Sequence, residues 1–206
     1  MLNKMISDLE VVILNIREQK EAAKKFVAFW SGRGYEKGES QQFWTALFRD
    51  VMGMEEPEKH MKFEVQVKID KSTKFIDVLI PETHVMVEQK GSNIDLRKAS
   101  KQSDGTLLTP YQQAKRYAGE LPYSDRPRWI IVSNFKKFLI YDRQEPQMEP
   151  IAIKLEELPD KVGELGFLVK LTEKRIIEEK KLSIKAGEIV GRLRDAIANG
   201  QRWKKR

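Results

Sequence analysis

The chain has 206 residues, no cysteine and two histidines, and its 38 Lys/Arg against 31 Asp/Glu leave a formal charge of +7. That length holds one ordinary domain with some appended structure. The missing thiols exclude disulfides and thiolate zinc sites, His60 and His84 are too few for most zinc centres, and a metal here must be a hard cation held by carboxylates.

The N-terminal segment reads as a helix over 2–29, with Leu9, Val12, Ile13 and Ile16 at i, i+3, i+4, i+7. Its charges are spread throughout, unlike a secretory signal, and no apolar run in the chain is long enough for a bilayer. The expectation is a soluble, cytoplasmic protein without a membrane partner.

A Gly-rich polar break over 31–40 precedes a second helix, QQFWTALFRDVMG, with Phe43, Leu47 and Val51 on one face and an end at Gly53. The period then changes to strands at 63–69, 75–80 and 84–90. A polar loop over 91–108 leads to a helix around TPYQQAKRYAGEL, where Thr109 is placed as N-cap and Pro110 as the first helical residue. WIIVSNF and KFLIYD supply two more strands. This order predicts an α/β fold, a mixed sheet flanked by helices.

Beyond it, PIAIKLEEL reads as a connection, KVGELGFLV as a short helix, and 173–198 as a long helix striped by Leu182, Ala186, Ile189, Val190, Leu193 and Ile197. We therefore expect a domain over 1–169 and a basic helical extension over 170–206. That extension holds 12 Lys/Arg and 5 Asp/Glu, so all the net charge lies in it and residues 1–169 are formally neutral. A basic segment favours a polyanion through phosphate contacts and counterion release, though it also suits the solvated face of a charged helix.

The tripeptide EQK occurs twice. Glu18 and Lys20 fall on a helix, where i and i+2 diverge, and they read as surface charges. Glu88 and Lys90 fall on a strand, where i and i+2 share a face. The preceding strand carries Asp77 among apolar neighbours. If residues 81–84 form a four-residue hairpin loop, Ile80 pairs with Val85 and the same register sets Asp77 against Glu88. Opposed carboxylates at roughly 5 Å repel, and a divalent cation resolves the conflict. Mg²⁺ bound by one or two carboxylates, with Lys90 orienting or deprotonating a water, suits phosphodiester hydrolysis. The looser pattern ExK alone carries little weight in a chain with 33% charged residues, since Glu178-Glu179-Lys180 and Glu179-Lys180-Lys181 match it too.

The flanking residues add specificity. Asp77, ten residues, then Glu88-Gln89-Lys90 resembles the core of the PD-(D/E)XK nuclease superfamily, with Ile76 where the name has Pro. Gln113-Ala-Lys-Arg-Tyr117 resembles the QxxxY motif of its RecB-like branch. GYEKGESQQFWTALFRDVMG, GTLLTPYQQAKRYAGEL and WIIVSNFKKFLIYD resemble the N-terminal endonuclease domain of MmeI-type (type IIL/IIG) restriction-modification proteins, and together the matches span about residues 20–145.

The resemblance implies a restriction-endonuclease-like fold and a Mg²⁺-dependent DNA endonuclease, with Mn²⁺ as a substitute. Asp77 and Glu88 would bind the metal, joined by the Gln89 backbone carbonyl, and Lys90 would position the water. Gln113 and Tyr117 would line the site and contact the DNA backbone. Glu39 or Gln42 of the second helix would supply a further polar group, although Glu39 also suits a charge at a helix start. His84 reads as structural. The partners implied are double-stranded DNA and, in the same polypeptide or system, methyltransferase and target-recognition domains. Neither NPP(Y/F) nor a Gly-rich AdoMet loop is present here, so methylation is not expected of this chain. A catalytically idle DNA-binding or interaction domain, and a stand-alone RecB-like repair nuclease, are the competing readings.

Overall fold

The computed structural model describes residues 17–54, 56–69, 72–169, 184–192 and 194. The chain divides into two compact units, Gln19–Lys170 and a second made of Met1–Glu18 with Leu171–Arg206. In the second unit the described residues 17, 18, 184–192 and 194 are helical. Ala186 and Ile189 of the predicted stripe are half-buried there and Val190 is exposed. Leu9, Val12, Ile13, Ile16, Leu182, Leu193 and Ile197 lie outside the residues whose side chains are described.

The larger unit opens with helix α1, residues 19–30. Helix α2, Glu36–Ala46, continues as a π-helical turn over Leu47–Val51, and Gly53 at φ 66 closes the segment. Sequence placed the start of α2 at Gln41; the observed start is five residues earlier. Gly32 and Gly34 absorb the positive φ values of the loop, and Glu39 accepts hydrogen bonds from the Gly34 and Tyr35 backbone N–H groups at 2.9 and 2.8 Å, so Gly38 is carried inside the helix. A short helix α3, Pro57–His60, leads into the sheet.

Strands β1, Lys62–Ile69, β2, Ser72–Ile80, and β3, Val85–Gln89, form an antiparallel meander. A two-stranded ribbon of β4, Ser100–Lys101, and β5, Leu107–Leu108, interrupts the long polar loop. Helix α4, Pro110–Gly119, starts as expected, with a capping box between Thr109 and Gln112 and Pro110 in its first turn. Strands β6, Trp129–Ser133, and β7, Lys137–Asp142, follow.

Residues 151–154, expected as a connection, are instead an edge strand, β8, Ile151–Lys154, paired antiparallel with β7. Four residues are too short for a period to be decisive, and burial of Ile153 comes from the neighbouring strand. Residues 158–168 form one turn of helix, α5, Leu158–Lys161, followed by 3₁₀ turns over Val162–Leu168 in place of the single expected helix.

The main sheet has the order β1-β2-β3-β6-β7-β8 and is mixed, because β3 and β6 are parallel and α4 lies in their crossover. Each face carries its own core. Val78, Ile80, Val85 and Val87 join Ala23, Phe26 and Trp30 of α1 and Phe43, Trp44, Leu47 and Phe48 of the α2 segment. Leu79, Met86, Ile130, Val132 and Leu139 join Ala114, Tyr117 and Ala118 of α4 on the other. The continuous burial of β3 and β6 follows from having helices on both faces. Among the described residues no helix is long and apolar enough to cross a membrane.

Candidate active site

The hairpin between β2 and β3 has the register that a four-residue loop requires. Val78 pairs with Val87, Leu79 with Met86 and Ile80 with Val85, around a 3₁₀ turn at Pro81–Thr83 and His84 in the left-handed conformation. Pairing ends at Val78, and one step further stand Asp77 and Glu88. In place of a ladder bond there, the Gln89 backbone N–H donates to Asp77 Oδ2 at 2.6 Å.

A distortion falls at the same level on the other side of β2. Glu64 of β1 has φ 51, and its would-be pairing with Asp77 is missing between Phe63↔Val78 and Val65↔Ile76. Phe63 and Val78 pack with the α2 side, whereas Val65 and Ile76 pack with the α4 side. Strand alternation therefore changes phase across Glu64 and Asp77, which a regular strand forbids. Positive φ at a non-Gly residue is strained, and here it sits beside the carboxylate cluster.

Met86, Glu88 and Lys90 alternate onto the α4 face of the sheet. Glu88 is 1% exposed. Lys90 Nζ donates to Glu88 Oε1 at 2.5 Å, while Glu88 Oε2 is buried with no hydrogen-bond partner. Burial pushes Glu88 up to about 8, reinforced by the Asp77 charge and opposed by Lys90. Asp77 is pushed up to about 6, again by burial first, against the Gln89 N–H and Lys90. Burial alone would lower Lys90, but the Glu88 carboxylate outweighs it and the ammonium is held above its ordinary value.

From α4, Gln113 Nε2 donates to the Tyr117 hydroxyl oxygen at 3.2 Å. Burial raises the Tyr117 phenol, and the charges of Glu88, Lys90 and Asp77 all act on it. The structure thus brings Gln113 and Tyr117 to the same face of the sheet as Glu88 and Lys90.

The residue that α2 contributes is Glu36, which sequence reasoning missed. Its Oε2 accepts from the Gly91 backbone N–H at 2.6 Å, and its charge raises both Asp77 and Glu88. Glu39 is occupied at the helix start by the Gly34 and Tyr35 N–H groups and by Arg33, which together hold its carboxyl below the usual range. Gln42 is exposed. The usable signal is the pair Glu36 and Glu39 in one helical first turn, which the glycines of 31–40 disguise as a break.

Glu36 reaches the site because two loops touch. Ser92 N–H donates to the Gly34 carbonyl at 3.2 Å, and a Cβ on Gly34 would lie 2.2 Å from Ser92 Cβ. Only glycine permits that approach. On the opposite sheet face, the buried Trp44 Nε1–H donates to Gln89 Oε1 at 2.9 Å.

Among the described residues no three His, Cys, Asp or Glu are gathered as a metal cage. The donor set nevertheless fits a hard cation that takes one or two carboxylates and keeps its waters: Asp77 and Glu88 are oxygen donors whose charges repel, and Glu88 Oε2 has no partner.

Fold and site together define a mixed α/β protein with a buried carboxylate–lysine cluster at the open end of a β-hairpin. Residues 21–200 match the family model described as MmeI, N-terminal domain, and the chain belongs to that family. This is the N-terminal domain of MmeI-type restriction enzymes, a restriction-modification context. No curated protein and no solved structure gives a significant match.

Proposed function

We propose that the chain is the Mg²⁺-dependent DNA endonuclease module of a restriction-modification enzyme, built on a PD-(D/E)XK-type sheet. The observation that carries this reading is the convergence of Asp77, Glu88 and Lys90, with one Glu88 oxygen buried and unpartnered. Membership in the family of MmeI N-terminal domains, a restriction-modification context, supports it.

Asp77 and Glu88 would hold the metal, with the Gln89 carbonyl beside them. When bound, the cation would lower the pKa of a water and stabilise charge on a phosphate oxygen. Glu88 sets the position and charge of the Lys90 ammonium through their ion pair. Lys90 then orients the attacking water and stabilises negative charge that develops at the phosphate. Gln113 and Tyr117, linked to each other, present an amide and a hydroxyl from α4 for backbone contact, which positions DNA without reading its sequence.

Lys90→Ala and Asp77→Ala are expected to lower Mg²⁺-dependent cleavage of plasmid DNA by at least about 10²-fold with the fold intact by circular dichroism. Undiminished cleavage by folded Lys90→Ala would remove Lys90 from the reaction. A parent protein that binds DNA but cleaves none with Mg²⁺ or Mn²⁺, in its full polypeptide context, would favour an idle binding module instead.

A further inference from the structure

Gln89 separates Glu88 and Lys90 in sequence, yet its side chain lies on the other face of the sheet, where neither the metal nor the water chemistry above uses it. It is fully buried, and both ends of its amide are engaged. Trp44 Nε1–H donates to Oε1 at 2.9 Å, and Nε2–H donates to the Lys90 carbonyl at 2.8 Å. The Gln89 backbone N–H is the donor to Asp77. One residue is thus tied at once to α2, to the peptide that carries Lys90, and to the Asp77 carboxylate. Eight residues before Trp44, Glu36 makes the second tie between α2 and the strand exit, at Gly91.

Stability alone does not require this arrangement. A methionine fills a similar volume with no amide to satisfy, and exchanging a satisfied buried polar pair for apolar groups is close to neutral. What the two side-chain bonds add is direction. An amide held at both ends leaves the peptide between residues 90 and 91 one setting, and supporting hydrogen bonds of this kind are what fix metal-binding and reacting groups in place.

We propose that Gln89 and Trp44 form a positioning latch, which sets the directions of Asp77, Glu88 and Lys90 from the far side of the sheet. Its catalytic consequence rests on the nuclease reading above. Neither side chain is a catalytic group, because both act through the peptide at 90–91 and through Asp77.

The test uses the full chain with the double substitution Trp44→Phe/Gln89→Met, which removes both partners together, and Gln89→Met alone as a second variant that leaves the indole ring in the aromatic core. Two quantities are measured: the Mg²⁺ dependence of DNA cleavage, and hydrogen exchange of the backbone amide at position 89 relative to that at 87. The latch predicts a variant that stays cooperatively folded, keeps the parent KM for DNA, and needs about 10–100-fold more Mg²⁺ or turns over that much more slowly. The amide at 89 should exchange at least about 10-fold faster relative to 87. A folded double variant with parental Mg²⁺ dependence and turnover overturns the proposal, whatever its exchange. If the parent itself cleaves nothing with Mg²⁺ or Mn²⁺, the nuclease reading has failed and the latch is judged by exchange alone: faster exchange at 89 upholds it and unchanged exchange ends it. If the double variant does not fold, Gln89→Met is read by the same criteria.

Discussion

Glu88 meets two opposed demands: it is buried where charge is disfavoured, and its neighbour Lys90 requires it charged. Burial and Asp77 win, so its folded value of about 8 stands above the ordinary 4.5, and Asp77 follows at about 6. Below their ordinary values both states hold these protons. As pH rises towards 8 the unfolded chain releases them while the folded chain keeps them, so stability falls through that window and levels off above it. The melting temperature in EDTA is therefore expected to decline between about pH 5 and pH 8. Glu88→Gln should make the decline shallower, because it removes the group with the larger shift. Mg²⁺ should oppose the decline in the parent and have little effect on the variant. An equal slope in parent and variant would show that Glu88 ionises at its ordinary pH.

At the scale of elements, α2 is the member whose placement matters most to the site, since its first residue, Glu36, and its ninth, Trp44, both reach the end of β3. The Gly34–Ser92 approach holds its N-terminus in place. Gly34→Ala should destabilise the protein by about 1–3 kcal/mol through overpacking and should also reduce cleavage, because Ser92 and Glu36 must move apart from their partners. Gly32→Ala is the control: it also has positive φ but meets nothing within 4 Å, so only a backbone penalty of roughly 1–2 kcal/mol is expected. Chemical denaturation of the two variants, with cleavage measured alongside, checks the pair. Matching losses of activity would place the Gly34 effect in the backbone conformation and not in the loop contact. The edge strand β8 teaches a related point, because its backbone partners in β7, and not its own four residues, make it a strand.

For the whole molecule, the charge distribution sets how DNA would be met. The excess of positive charge lies in residues 170–206, with Arg202, Lys204, Lys205 and Arg206 at the end. If these neutralise phosphates, changing all four to Gln should weaken non-specific duplex binding and reduce the slope of log K against log salt by up to roughly 3–4. Binding measured across a salt series decides it. An unchanged slope would mean that these cations do not contact DNA, and the nuclease proposal, which rests on the sheet and its hairpin, would be unaffected.

The parts legible in sequence are those set by short-range geometry. The pleat puts Glu88 and Lys90 on one face, a four-residue loop puts Ile80 against Val85 and so Asp77 near Glu88, and Thr109-Pro110 starts α4. Each depends on residues within about a dozen positions of one another. Glu36 and Gly91 are 55 positions apart, and Trp44 and Gln89 are 45 apart. Only the packing of α2 on the sheet unites them, and no local pattern encodes a helix's docking angle. The phase change at Glu64 and Asp77 was hidden for the same reason: alternation is a rule for regular strands, and the strain at Glu64 exists only where β1, β2 and the carboxylate cluster are assembled.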